Sequence, residues 1–207
     1  MAFVKLKSTQ PVVNDERKQP RDCANLEVEL ENPNPATRRW AARDLTDCPE
    51  ASAALVSRLE REDDISVREV ILSTLTSLGD EVAVAGLVTC LRSEEAALRN
   101  EAIEAMKQLP DEVAPIMLGL LADNDPDIRI FAVNILESLR HPEVEFWLIG
   151  VIDNDPYLNV CATAVDLLGE VGSSAAKEAL LRLKARFPEE PYIQFASDLA
   201  LKRINED

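Results

Sequence analysis

The chain has 207 residues and carries 22 Lys and Arg against 38 Asp and Glu, a formal net charge of −16, with a single histidine. A surface of that sign repels phosphate backbones, which excludes nucleic acid as an expected partner, and one histidine removes multi-histidine metal sites and most histidine-based catalysis. No run approaches the roughly 18 apolar residues of a membrane helix, and Met1 to Lys7 lacks the apolar stretch and cleavage site of a signal peptide, so the expectation is a soluble cytoplasmic protein.

Residues 1–21 carry Lys5, Lys7, Arg17, Lys18, Arg21 and two prolines without helical periodicity. They are expected to form a mobile arm ahead of one domain, 22–207, or to fold back along it through Phe3, Val4 and Leu6. Asp22 to Glu31 reads as a short helix with Leu26 and Leu30 facing inward.

One pattern is then written six times: TRRWAARDLTDC from Thr37, VREVILSTLTSL from Val67, LRNEAIEAMKQL from Leu98, IRIFAVNILESL from Ile128, VCATAVDLLGEV from Val160 and IQFASDLALKRI from Ile193. Its second position falls at Arg38, Arg68, Arg99, Arg129, Cys161 and Gln194, giving periods of 30, 31, 30, 32 and 33 residues. Within each copy apolar residues recur three and four apart, one face of a helix. Asn34-Pro35, Asp125-Pro126 and Asp155-Pro156 mark helix starts, with Asp64 and Glu95 in the same place without the proline. Gly79 and Gly172 sit where left-handed helix caps are expected.

A second helix follows each of the first five, through Ala51–Arg61, Glu81–Arg92, Glu112–Ala122, Pro142–Ile152 and Ser174–Arg186, and Glu190–Ile204 closes the chain as a lone first helix. The pattern predicts about twelve helices in repeats near 34–62, 63–94, 95–124, 125–154 and 155–188, with a half-repeat at 189–207.

The motif D-x-x-V-R-x-x-A-x-x-A-L-x-x-L-G, matched by Asp64, Val67, Arg68, Leu75, Leu78 and Gly79 and by Asp125, Ile128, Arg129, Ala132, Leu136 and Leu139, resembles the HEAT-like repeat of the bacterial subgroup first named for phycobilin lyases. The resemblance covers about Asp22 to Ile204. It implies an all-α, right-handed α-α superhelix of about five helix pairs plus capping half-repeats. It also implies a structural ladder in which Arg38, Arg68, Arg99 and Arg129 each reach an acid of a neighbouring repeat. Cys161 and Gln194 interrupt that ladder, so the C-terminal repeats are expected to be held in register less firmly.

Scaffolds, adaptors, lyase subunits and a few enzymes share such repeats, and fold does not fix function. Deoxyhypusine hydroxylase builds a di-iron site from His-Glu pairs, whereas here His141 precedes Pro142. HEAT-like DNA glycosylases use a basic, aromatic groove, which an acidic chain with 4% aromatic residues does not offer. No nucleotide-binding loop is present. Cys23, Cys48, Cys90 and Cys161 lie 25, 42 and 71 residues apart with no C-x-x-C pair, and are expected as free core thiols. The aspartates at 123, 125, 127, 153 and 155 lack the calcium-loop pattern and read as helix caps. Neither cofactor nor metal is expected.

The candidate site comes from overlaying the second helices. Val84, Leu87, Val88 and Leu91 align with Ala114, Met117, Leu118 and Leu121, then with Val144, Trp147, Leu148 and Val151, and form the expected inward stripe. Ala54, Ser57, Arg58, Gly86, Thr89 and Cys90 are small or polar on the remaining face, but in the next two pairs those positions turn to Ile116, Gly119 and Leu120, then Phe146, Ile149 and Gly150. Residues 93–157 hold 14 acids against 4 bases. Ile116, Leu120, Phe146 and Ile149, rimmed by Asp111, Glu112, Glu143 and Glu145, therefore read as the anchor patch for another protein with a basic or amphipathic surface. The resulting expectation is a non-enzymatic scaffold or adaptor, as monomer or homodimer. A phycobilin lyase-like chaperone subunit acting on a tetrapyrrole-bearing client is the alternative that the resemblance implies.

Overall fold

The computed structural model describes residues 22–139 and 141–206, so the expectation of an arm at 1–21 lies outside the described residues. Among the described residues twelve α-helices follow one another: α1 (Cys23–Glu29), α2 (Pro35–Asp44), α3 (Ser52–Leu59), α4 (Ile65–Leu78), α5 (Glu81–Cys90), α6 (Ala96–Met106), α7 (Pro110–Leu121), α8 (Pro126–Leu136), α9 (Val144–Asn154), α10 (Leu158–Val171), α11 (Lys177–Arg186) and α12 (Pro191–Glu206). No strand occurs among the described residues. The even-numbered helices α2 to α12 stack on one another as one layer. The odd-numbered helices form the other, each packed against the first helix of the following repeat. The architecture is an all-α HEAT/armadillo-type solenoid.

The helix starts follow their side chains. The side chains of Asn34, Asp64, Asp80 and Asp125 accept hydrogen bonds from backbone N–H groups of α2, α4, α5 and α8, satisfying donors that a helix start leaves open. Glu95 stands at the same position before α6 but makes no cap, because its carboxylate is drawn to Arg68. At Asp155-Pro156 the structure corrects the sequence. The helix α10 begins at Leu158, and Asp155, turned toward Arg129, accepts instead from the Tyr157 N–H at 2.9 Å.

The two glycine caps also differ. Gly79 has φ 59°, the left-handed conformation that closes α4. Gly172 has φ −73° and is needed for close approach, since a Cβ there would stand 2.4 Å from the Leu168 carbonyl oxygen.

One apolar row from each helix fills a continuous core: Val67, Ile71 and Leu75 of α4, Met106 of α6, Ile128 and Ile135 of α8, Leu168 of α10 and Ile193 of α12. The Thr74 hydroxyl donates to the Ala42 carbonyl at 2.9 Å, tying α4 to α2 inside that core. Four free thiols are not what the fold contains. Cys23 at the start of α1 and Cys48 after the 3₁₀ turn at Leu45–Asp47 form a disulfide, brought together by the packing of α1 on that turn. Cys90 and Cys161 are free and buried. No described helix is long and apolar enough to cross a membrane.

Candidate functional site

The first-helix arginines set the frame from which the site is hung. Arg38 makes two hydrogen bonds of 2.7 Å to the carboxylate of Glu62, and its Nη1 donates to the carbonyls of Asn32 and Pro33. Arg129 grips Asp155 at 2.6 and 3.2 Å and donates to the Asp123 carbonyl at 2.7 Å. Arg68 pairs with Glu95 through both oxygens. Burial would raise the carboxyl of Glu62, but hydrogen bonds from Arg38, Arg58 and the Asp64 N–H bring it down to about 2. These guanidiniums are committed to carboxylates and carbonyls, leaving them poorly suited to bind an anionic ligand.

Arg99 differs from the other three. Among the described residues it has no carboxylate partner; it donates to the Ser93 carbonyl at 2.6 Å and lies over the Phe131 ring at 5.8 Å. Asp125, which stands to Arg99 in sequence as Asp155 does to Arg129, is used as the cap of α8. The ladder is therefore weakest in the middle, at α6.

The C-terminal turn expected to be loose has substitutes. The Gln194 amide donates to the carbonyls of Lys184 and Phe187 at 3.0 Å each, while Arg186 reaches the Asp153 and Asp155 carbonyls and the Cys161 sulfur.

The second helix of this middle repeat, α7, is flanked by two grooves. One, of about 750 Å³, lies against α5 and is lined by Val84, Val88, Pro115, Ile116, Gly119 and Leu120 among others. The other, of about 470 Å³, lies against α9 and is lined by Leu118, Phe146, Trp147, Gly150, Val151 and Tyr157 among others. Both reach Asp123, which Arg92 holds by an ion pair that lowers the carboxyl's pKa. Neither Gly119 nor Gly150 has any atom within 4 Å of where a Cβ would stand. Gly86 on α5 is the opposite case, with Val56 of α3 2.3 Å from that point.

The structure places Ile116 and Leu120 at the α5 groove and Phe146 at the α9 groove, leaves Ile149 lining neither, and covers Leu120 too fully for an exposed anchor. Phe146 is 70% exposed, Ile116 and Ile149 are partly covered, and Leu120 is only 6% exposed. Leu118, placed in the inward stripe by the overlay, is 61% exposed. The exchange has a simple cause. The helix α7 packs on α5 and α8 through Val113, Met117 and Leu120 but only sparsely on α9, so the side chain that points toward α9 has little cover. Pro115 inside α7 is the one sequence signal that this helix departs from its neighbours. Asp111, Glu112 and Glu143 are exposed, whereas Glu145 is half-buried and accepts hydrogen bonds from the Ser173 N–H and hydroxyl.

Chemical groups suited to covalent catalysis are sparse here. His141 stacks on Trp147 with ring centroids 4.9 Å apart, and its Nδ1 accepts from the Glu143 N–H. Burial pushes the Cys90 thiol up to about 11 and the Cys161 thiol upward as well, so neither is poised as a thiolate. Among the described residues no group of three or more His, Cys, Asp or Glu could hold a metal ion.

Stacked helix pairs, an arginine ladder and an apolar second-helix face define an α-solenoid repeat protein. Residues 24–107 and 113–202 match the model of the HEAT repeats family, and the chain belongs to that family. It is 38% identical over 151 residues to the bilin biosynthesis protein PecE of Mastigocladus laminosus, a match covering 71% of this chain and 56% of that protein. It is also 38% identical over 74 residues to PecE of Nostoc sp. strain PCC 7120, covering 35% and 29%. The chain thus spans little more than half the length of one of these relatives and less than a third of the other.

Among solved structures it is similar to the complex of CpcE and CpcF of phycocyanin lyase from Nostoc sp. PCC7120, with 18% identity, coverage of 99% of each chain and a TM-score of 0.39. It is also similar to human deoxyhypusine hydroxylase in complex with glycerol, with 16% identity, coverage of 89% and 85% and a TM-score of 0.47.

Proposed function

We propose that the chain is a bilin-lyase-type subunit. It would work together with another protein to handle an open-chain tetrapyrrole or the polypeptide that carries it, with the face around α7 and α9 as the working surface. The observation that carries this is the 38% identity over 151 residues to a bilin biosynthesis protein, which favours the lyase-type role over a generic adaptor. The face supports it in one respect. Its thiols are buried and its lone histidine is packed against Trp147, so the chain would hold and orient, and the bond-forming nucleophile would belong to the client.

The test is spectroscopic. Purified chain is titrated with a linear tetrapyrrole, alone and with a pigment-free phycobiliprotein subunit and a candidate second lyase subunit. A change in the visible absorption of the pigment that requires this chain is the expected result. Unchanged spectra in every combination, with no pigment transferred to the client, would return the chain to the plain adaptor class.

A further inference from the structure

We propose that the two grooves flanking α7 form one continuous docking surface for an amphipathic, basic α-helix of another protein. This deepens the lyase-type reading by giving the protein partner a chemistry and a place. The crest of α7 between the grooves is made of Pro115, Gly119 and Ala122, all exposed and none with a long side chain, so no wall separates the groove against α5 from the groove against α9.

Packed helices lie about 8–10 Å apart, as α7 does from α5, and α9 packs less closely, so the grooves on either side of α7 are at least about 10 Å from each other. Two turns of an α-helix rise about 10.5 Å, so apolar residues at i and i+7 of a helix laid across α7 reach both grooves. One would sit against Val88 and Ile116, the other against Leu118, Phe146 and Tyr157. Gly119 at the crossing lets the backbones approach. Within the chain a glycine already makes room at a helix junction, where Gly86 of α5 receives the Val56 side chain of α3.

Charge selects the partner's polar side. Glu81 and Glu112 line the α5 groove and have no paired cation among the described residues, Asp111 is exposed on the first turn of α7, and the segment 93–157 has an excess of ten acids. Lys and Arg flanking the apolar row of the incoming helix would face these carboxylates.

The experiment uses the full chain and a labelled synthetic helix of about 20 residues with Leu at i, i+3 or i+4, and i+7 and Lys on its polar side. The expected result is saturable binding by fluorescence anisotropy, weakened at least tenfold by Gly119→Leu or Gly150→Leu. Both substitutions should leave melting unchanged or raised, because their side chains enter open space. A matched Ser77→Leu change on the other layer should leave binding alone, and a probe with Glu in place of Lys should not bind.

Binding indifferent to Gly119→Leu and Gly150→Leu overturns the proposal, as does no binding at all. Binding that appears only after Phe3→Ser and Leu6→Ser would assign the surface to the chain's own N-terminal segment and equally overturn it. A chain that alters tetrapyrrole spectra but ignores the probe keeps the lyase-type role and loses this surface.

Discussion

At α3 and α5 the second-helix layer is shut. Gly86 leaves a gap that Val56 fills, and Ser52 donates to Asp80 at 2.7 Å across the same junction. At α7 and α9 the layer is open. Gly119 and Gly150 face empty space, Leu118 is uncovered, and the first helix of the same repeat, α6, lacks a carboxylate for Arg99. A glycine in a second helix therefore does not by itself say whether helices close or part. What decides is whether a β-branched neighbour arrives to fill it and whether the arginine beneath is tied to the next repeat.

Breaking a rung should separate the two regions most. Arg129→Ala leaves Asp155 buried without its guanidinium partner, and removal of one member of a buried pair costs about 3–5 kcal/mol. Arg99→Ala gives up one hydrogen bond to a carbonyl and a ring contact and should cost nearer 1–2 kcal/mol. Denaturant unfolding of the two variants checks the ratio; equal losses would mean that the middle repeat is as firmly registered as the others.

The same comparison extends to pH. The folded Glu62 carboxyl sits at about 2 against an ordinary 4.5, so its contribution is complete above about pH 4.5 and lost as pH falls toward 2. Glu62→Gln should flatten the fall in melting temperature over that window.

The glycines sharpen the contrast at smaller cost. Gly86→Ala must displace Val56, an overpacking cost of about 1–3 kcal/mol offset by about 1 kcal/mol of helix propensity, for a net loss of up to about 2 kcal/mol. Gly119→Ala and Gly150→Ala meet nothing and should gain up to about 1 kcal/mol each. Thermal melts that order the three variants otherwise would erase the distinction between shut and open halves.

Much of this architecture was legible because it repeats. The apolar spacing around Val67, Ile71 and Leu75, the caps at Asn34, Asp64 and Asp125, and the period set by the arginines each depend on residues close in sequence. Features that depend on one helix's distance from another were not legible. Overlaying the second helices assumes that every repeat presents the same side to its neighbours. It fails at α7, where sparse packing against α9 leaves Leu118 exposed while Leu120 is buried. Asp155 has the aspartate-proline signature of a cap, yet a guanidinium offers a carboxylate more than a helix start does. The Cys23–Cys48 bond depends on where α1 lies, which a separation of 25 residues does not reveal.

The smallest effect on stability belongs to the residue with the largest stake in the open half. Phe146 is 70% exposed at the groove between α7 and α9, so its truncation removes little buried area and should change unfolding free energy by less than about 0.5 kcal/mol. An aromatic anchor at the centre of an interface is worth about 2 kcal/mol or more, roughly a thirtyfold change in affinity. Phe146→Ala should therefore melt with the parent chain and bind the basic helical probe about thirtyfold more weakly. Val28, exposed to a similar degree on α1, supplies the comparison from outside the grooves: Val28→Ala should alter neither quantity. The carboxylates around the grooves act at longer range, so raising salt should slow association of the probe more than it hastens dissociation. If Phe146→Ala instead unfolds the protein by several kcal/mol, the ring is part of the packing of α9 on its neighbours, and the groove against α7 is no more open than the junction at Gly86.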